Sequence, residues 1–305
     1  MITTDNKSQH QMKHAYCIIA HKDIYTLNKL LECIDDKRND IFLLLDKKSL
    51  IDKHDIYQPI NSSIIIKQSI TIRWGDISQI KAELAVLKAA SSNGSYSYYH
   101  LVSGQDLPLH NQDFIHHYCS SVKPETNFIG YAQGSSNKRS LEERISYYVP
   151  FTAYYKISNK YLRIIFETLR NKAVNIQKRF GIIRTRPSIE FQKGCNWATM
   201  TDKFVKHLLN HENNIITLYR YTPCCDEIYK QTIAWNSIFK DTLYDSDDEY
   251  NGCVREIDWN RGGPYTYRQS DLNQLLSSDK LFARKFDSQI DKQIIDELVS
   301  NIKKS

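Results

Sequence analysis

The chain has 305 residues, 41% of them hydrophobic and 25% charged, with only 10 Gly and 7 Pro, a globular composition that excludes a disordered, collagenous or coiled-coil chain. At 35.7 kDa it buries a core without disulfide or metal staples, and no apolar run approaches the roughly 20 residues that cross a bilayer. A formal charge of +6 is compatible with a nucleic-acid binder, so the distribution of that charge matters more than its size.

His14–Ala20 (HAYCIIA) reads as a buried strand, followed by a polar turn at His21, Lys22 and Asp23 and a helix over Ile24–Ile34. A second buried strand covers 40–45 and ends at Asp46, and a third covers 63–67. An amphipathic helix follows over 77–90, then a strand over 96–102 that runs into Ser103-Gly104-Gln105-Asp106. Strands separated by helices imply βαβ units, hence an α/β fold with a mainly parallel central sheet flanked by helices. Ligands bind such sheets beyond the carboxyl ends of the strands, where His21, Asp46 and Asp106 fall. Neither GxGxxG nor GxxxxGK[ST] occurs, which argues against a dinucleotide fold or P-loop. Polar strand-end side chains are then left to hold a nucleotide.

The second half is less regular. A strand is expected over 127–131 and a polar loop over 133–139. Between 160 and 193 stand nine basic residues, Lys160, Arg163, Arg170, Lys172, Lys178, Arg179, Arg184, Arg186 and Lys193, against Glu167 and Glu190. That segment carries +7 and the rest of the chain about −1. Leu162, Ile165, Phe166, Leu169, Ala173, Ile176 and Phe180 recur at helical spacing, so the segment reads as an amphipathic helix with a basic face. Two uses stand open: a solvated face on a helix packed against the core, or a contact with an anionic membrane surface or lipid-phosphate-linked substrate. Nucleic acid is disfavoured, because aromatic residues do not interleave with the cations. A strand-like stretch over 189–200 leads to a helix over 201–209 with Thr201 as N-cap. A helix over 225–236 carries Asp226 and Glu227 in its first turn. A strand over 254–259, a turn at Arg261-Gly262-Gly263-Pro264, a short helix over 271–277 and the mixed segment KLFARKF at 280–286 complete the pass. Without repeats or low-complexity linkers, the two halves are expected to form one compact body.

Several residues could carry chemistry. Glu227, just after Pro223-Cys224-Cys225, either complements a helix dipole or acts as a general base toward an acceptor hydroxyl. Arg284 and Lys285 lie between aromatic anchors, and a diphosphate is a natural target, with Arg261 joining from a loop. Three such cations can stabilise a departing nucleotide diphosphate in place of a divalent metal. Asp245-Ser246-Asp247 spells Asp-X-Asp, but it lies in an acidic loop continuing into Asp248 and Glu249 and reads as a decoy. Trp74-Gly75 precedes a helix and either packs as core or covers the nucleotide. His100, His116, His117 and Cys224-Cys225 have no recognisable ligand spacing and read as structural.

Taken in order, AYCIIAHK at 15–22, DIFLLLDKK at 40–48, IRWG at 72–75 and HLVSGQDLP at 100–108 form one set with the later KGCNW at 193–197, Asp226-Glu227, 254–259 and 281–286. The set resembles glycosyltransferase family 14, the core-2/I-branching and peptide O-xylosyltransferase family, and among its members the compact bacterial ones. The resemblance runs from about 14 to 295. It implies a GT-A, Rossmann-like fold and inverting, metal-independent transfer of a sugar, GlcNAc or xylose, from a UDP-sugar to a hydroxyl of a saccharide or lipid-linked saccharide, in cell-surface polysaccharide or glycan synthesis. By motif position Ala20, His21, Asp46, Arg73 and Trp74 fall at the uridine, and Asp106 takes the place of an Asp-X-Asp motif. Glu227 matches the catalytic base. Arg261 and Lys285, with Arg284 beside the latter, match the diphosphate cations, and Arg144, Trp197 and Asp226 fall on the acceptor side. No metal or other cofactor is implied.

The organisation expected is a poorly ordered N-terminus over 1–13, a single catalytic domain over 14–295 with a nucleotide-sugar half (14–130) and an acceptor and catalytic half (131–295), and a polar tail over 296–305. Met1 to His14 lack the apolar core of a signal peptide and the seven Cys are odd in number, so a cytoplasmic protein is expected, peripheral at the inner face of the membrane if 160–193 makes a contact there. The rival reading is a non-catalytic glycan or membrane-surface binding module on the same scaffold.

Overall fold

The structure is a computed structural model and describes residues 13–184 and 188–304. In chain order the main elements are β1 (His14–Ala20), α1 (Ile24–Ile34), β2 (Asn39–Asp46), β3 (Ser63–Ile70), α2 (Ser78–Asn93), β4 (Tyr98–Ser103), β5 (Asp106–Pro108), α3 (Gln112–Ser121), α4 (Ser135–Ile145) and α5 (Lys160–Arg179). There follow β6 (Ala198–Thr201), α6 (Asp202–Asn210), α7 (Glu212–Tyr219), α8 (Tyr229–Trp235), α9 (Glu249–Cys253), β7 (Arg255–Ile257), α10 (Leu272–Leu276), β8 (Phe282–Arg284) and α11 (Lys292–Lys304).

The central sheet has the order β3-β2-β1-β4-β6, parallel except for the antiparallel edge pair β4 and β6. β2 is buried along its whole length and β1 nearly so, which explains their unbroken apolar runs: a strand covered on both faces has no polar alternation. Successive side chains feed opposite layers. Tyr16, Ile18 and Ala20 join Leu27, Leu30 and Ile34 of α1 and Ile295 and Leu298 of α11 on one face. Ala15 and Cys17 join Ile80, Leu84 and Leu87 of α2 and Phe204 and Leu208 of α6 on the other. A small second sheet, β5-β8-β7, pairs Asp106 with Arg284 in register.

The α/β class matches the sequence reading, as do β1, α1, β2, α2 and β4, whereas β5 and α3 were not anticipated and further differences follow. The strand at 63–67 is an edge strand with alternating exposure. Of the strand expected at 127–131, only isolated bridges from Asn127 to Leu243 and from Phe128 to Thr199 form, and of 189–200 only the final residues pair. Residues 135–145 are helical although only Leu141 among them is buried, so no apolar periodicity announced α4. The helix at 225–236 is broken into a 3-10 turn, Cys225–Glu227, and α8. Of the polar tail expected over 296–305, residues 296–304 are instead the end of α11, whose Leu298, Val299 and Ile302 sit in the core beside α1, and Ser305 lies outside the described residues. The N-terminus expected to be poorly ordered, apart from Lys13, lies outside the described residues.

The basic segment needs the largest correction. α5 ends at Arg179, and its inward side is Phe166, Arg170 and Gln177. The apolar series Leu162, Ile165, Leu169, Ile176 and Phe180 faces solvent. Arg170 and Arg184 are buried, Lys193 points toward the candidate site, and Arg186 lies outside the described residues. The exposed cations are therefore Lys160, Arg163, Lys172, Lys178 and Arg179.

Candidate active site

The sheet order reverses between β1 and β4, and the crevice outside their carboxyl ends is where a doubly wound sheet binds ligands. A cleft of about 520 Å³ opens there, within the usual range for small-molecule sites. Ala20 and His21 at the end of β1, Asp46 at the end of β2, and Ser103, Gly104 and Gln105 at the end of β4 line it. Gly104 is required at its position: a Cβ there would stand 2.6 Å from the Ala20 Cβ, so only glycine lets the β4 turn close onto β1.

The remaining walls come from loops. Arg73 and Trp74 precede α2, and Ala153, Lys156 and Ile157 precede α5. Lys156 Nζ lies 4.2 Å from the centre of the half-exposed Trp74 ring, and Arg73 stacks over Tyr154. Trp197, Gly263, Pro264, Arg284 and Lys285 close the side contributed by the second half.

Asp106 is buried beneath this surface and does not line it. It accepts from the Ser103 backbone N–H at 2.8 Å, the Ser103 hydroxyl at 2.7 Å and Arg284 Nη1 at 2.7 Å. It therefore aims the Arg284 guanidinium, which stacks on Trp197 at 4.8 Å, into the cleft. Lys22, held by Asp287 at 2.8 Å, adds another cation that sequence reasoning left without a role, as does Lys156. Burial and the nearby cations Lys22 and Arg284 lower the Lys285 pKa, so an incoming anion would be welcomed by mutually repelling positive groups. Burial likewise lowers the His21 pKa and favours a neutral imidazole. Arg261 is placed differently. It does not line the cleft; its guanidinium pairs with Asp258 and, at 2.7 Å, with Asp271, and it stacks on Tyr265.

Glu227 is not a cleft-lining residue either, but its turn is bonded to the cleft wall. Cys224 N–H donates to Gly75 O at 3.0 Å, and Gln79, which does line the cleft, accepts from Gly75 N–H and donates to Asp226 Oδ2 at 2.7 Å. Arg144 Nη1 binds Glu227 Oε2 at 2.7 Å. Lys193, its pKa lowered by burial and by Arg144, faces the same pair. Asp226 is fully buried, and burial together with Glu227 pushes its carboxyl up to about 8. Beneath them Lys230, wholly buried, bonds Glu83 at 2.6 Å, Asn196 at 2.7 Å and the Asp226 carbonyl at 3.1 Å. Glu83 and Lys230 were invisible as a pair in the sequence, because α2 and α8 bring together residues 147 apart.

Asp245 is committed locally: its carboxylate accepts from Asp247 N–H, Asp248 N–H and Asn251 Nδ2 next to α9. His14, His100 and Cys119 cluster at the opposite end of β1 from the cleft, a set assembled from three elements and so without sequence spacing. There His14 Nδ1 lies 3.0 Å from His100 Nε2, and His14 stacks on His116.

A mainly parallel sheet flanked by helices, with a polar cleft at its switch point, is consistent with a GT-A-like glycosyltransferase fold. The family model described as Branch: Core-2/I-Branching enzyme matches residues 14–278, and the chain belongs to that family. Among curated proteins it is similar to xylosyltransferase 2 of Homo sapiens, 20% identical over 307 residues that cover 93% of this chain and 33% of the relative. The xylosyltransferase 2 of Rattus norvegicus and of Mus musculus are likewise 20% identical, over 309 residues each. The chain thus spans about a third of the length of these relatives.

Proposed function

We propose that this chain is an inverting glycosyltransferase that moves a sugar, GlcNAc or xylose, from a UDP-sugar to a hydroxyl of a saccharide or lipid-linked saccharide in glycan or cell-surface polysaccharide synthesis, without a divalent metal. The observation that carries the reading is one cleft at the switch point of the sheet, with cations on one wall and the Glu227 turn bonded to another. Ala20, His21, Asp46, Arg73 and Trp74 supply the polar and aromatic surfaces for the uridine. Arg284, Lys285 and Lys22 supply positive charge where a diphosphate leaves, which supports transfer without a metal. Arg261 would have to leave Asp258 and Asp271 to join them.

In this mechanism Glu227 takes the proton of the acceptor hydroxyl. The acceptor oxygen attacks the anomeric carbon from the face opposite the diphosphate, and the bond from that carbon to the diphosphate oxygen breaks with its electron pair leaving on UDP. Arg144 orients the carboxylate through Oε2, and Lys193 faces the same pair. Asp226, expected on the acceptor side, is instead buried behind Glu227 against Gln79, and Trp197 stacks on Arg284 at the diphosphate wall. All seven cysteines are free thiols, which supports a reducing, cytoplasmic location. No helix among the described residues is long and apolar enough to cross a membrane.

A panel of nucleotide sugars scored for slow donor hydrolysis identifies the donor without knowledge of the acceptor. Glu227→Gln is expected to lower transfer by about 100-fold or more while UDP affinity changes little. Lys285→Ala is expected to weaken UDP binding as well as turnover. Absence of calorimetric binding to UDP and to every UDP-sugar would instead favour a non-catalytic binding module.

A further inference from the structure

The outward side of α5 is not the side that holds the helix to the body. Phe166 stacks on Tyr154 with ring centres 4.1 Å apart, the Arg170 guanidinium lies 4.1 Å from the Tyr155 ring, and Gln177 bonds both the N–H and the carbonyl of Tyr148. Turned about 90° from those residues is a second apolar line. Leu162 is 41% exposed, Ile165 51%, Leu169 42%, Ile176 55% and Phe180 72%. At 100° per residue these five fall within an arc of about 60°, a continuous stripe along the helix. Ile182 and Ile183 extend the exposed apolar surface past the helix end. Lys172 and Arg179 line one flank of the stripe, and the helix as a whole exposes five cations against Glu167 alone.

We infer that α5 docks this protein on an anionic phospholipid bilayer, with the stripe set among the upper acyl chains and Lys172 and Arg179 reaching the phosphates. An apolar stripe flanked by Lys and Arg is the pattern that binds such an interface. Charge complementarity selects this occupant over an antiparallel helix pair with a second copy of the chain, because that two-fold contact would set Lys172 of both copies on the same edge. The geometry also relates the surface to the cleft. Tyr154 and Tyr155, on which α5 rests, belong to the same loop as the cleft residues Ala153, Lys156 and Ile157. Under the transfer reading proposed above, docking brings the cleft to saccharides carried on lipid; the docking itself stands independently of that reading.

The test uses the full chain sedimented with phosphatidylcholine vesicles, with and without phosphatidylglycerol. Sedimentation with the phosphatidylglycerol vesicles that falls as salt rises is expected. The variant Leu169→Ser with Ile176→Ser and Phe180→Ser, and separately Lys172→Glu with Arg179→Glu, should each weaken it by about tenfold or more. Both sets lie on the solvent side, so unchanged melting temperature and UDP affinity confirm intact folding. No sedimentation of the parent chain with anionic vesicles, or equal sedimentation of the variants, overturns the proposal. Self-association of the parent chain that is abolished by the apolar triple variant assigns the stripe to a second copy and also overturns it. Nucleotide-sugar hydrolysis is read separately, so failure of docking and failure of the transfer reading are distinguishable.

Discussion

Asp226 and Glu227 are neighbours in sequence with opposite surroundings. Asp226 is fully buried with Oδ1 unpartnered among the described residues, and burial first, then Glu227, raises its pKa to about 8. Glu227 is about a third exposed and pairs with Arg144. Under the proposed transfer mechanism Glu227 is the acid that acts on the acceptor, while burial favours the neutral form of Asp226. In the unfolded chain Asp226 ionises near its ordinary 3.8, so between that value and about 8 the folded state holds one more proton and stability falls as pH rises. Asp226→Asn, which can still accept from Gln79, is therefore expected to flatten the decline of melting temperature from pH 4 to 8, and thermal melts across that range check it. A decline identical to the parent's would place the pH dependence on other groups.

At the scale of elements, close backbone approach builds the cleft floor, while α11, a helix the sequence reading left out of the core, supports the layer beneath it. Gly104→Ala puts a methyl 2.6 Å from the Ala20 Cβ at the point where β1 and the β4 turn form the cleft floor. The expected cost is about 1–3 kcal/mol of stability together with weaker UDP binding, measured by denaturant unfolding and calorimetry. Ile295 in α11 is fully buried against the α1 layer, and Ile295→Ala is expected to cost about 2–5 kcal/mol without altering UDP affinity in the folded protein. The contrast separates an element that builds the site from one that only supports the layer beneath it.

For the whole molecule, the cleft is shared between distant parts of the chain. His21, Asp46 and Arg73 come from the first half, while Arg284 and Lys285 come from β8 and its end, which pairs with β5. A ligand touching both is expected to raise the unfolding temperature in a single transition, by the equivalent of about 2.7 kcal/mol at a hundred times its dissociation constant. Excess EDTA should leave the UDP-induced shift unchanged; its loss on chelation would restore interest in Asp245 and Asp247 as metal ligands.

The amino-acid sequence by itself determined the α/β class, β1, α1, β2, α2 and β4, and the strand-end positions of His21 and Asp46, but not β5, which Asp106 opens, nor α3. Local forces decide those: apolar runs long enough for doubly covered strands and helical periodicity between them show in adjacent residues. The ordered motifs likewise pointed to the family to which the chain belongs. Tertiary structure alone decided that Asp106 lies under the cleft and aims Arg284, that Arg261 is held by Asp258 and Asp271, and that Lys230 and Glu83 brace the Glu227 turn. It also decided that the periodic apolar line of α5 faces water rather than the core. Periodicity tells which residues share a face, but what that face meets is set by contacts between residues far apart in the chain, and those have no signature in local spacing.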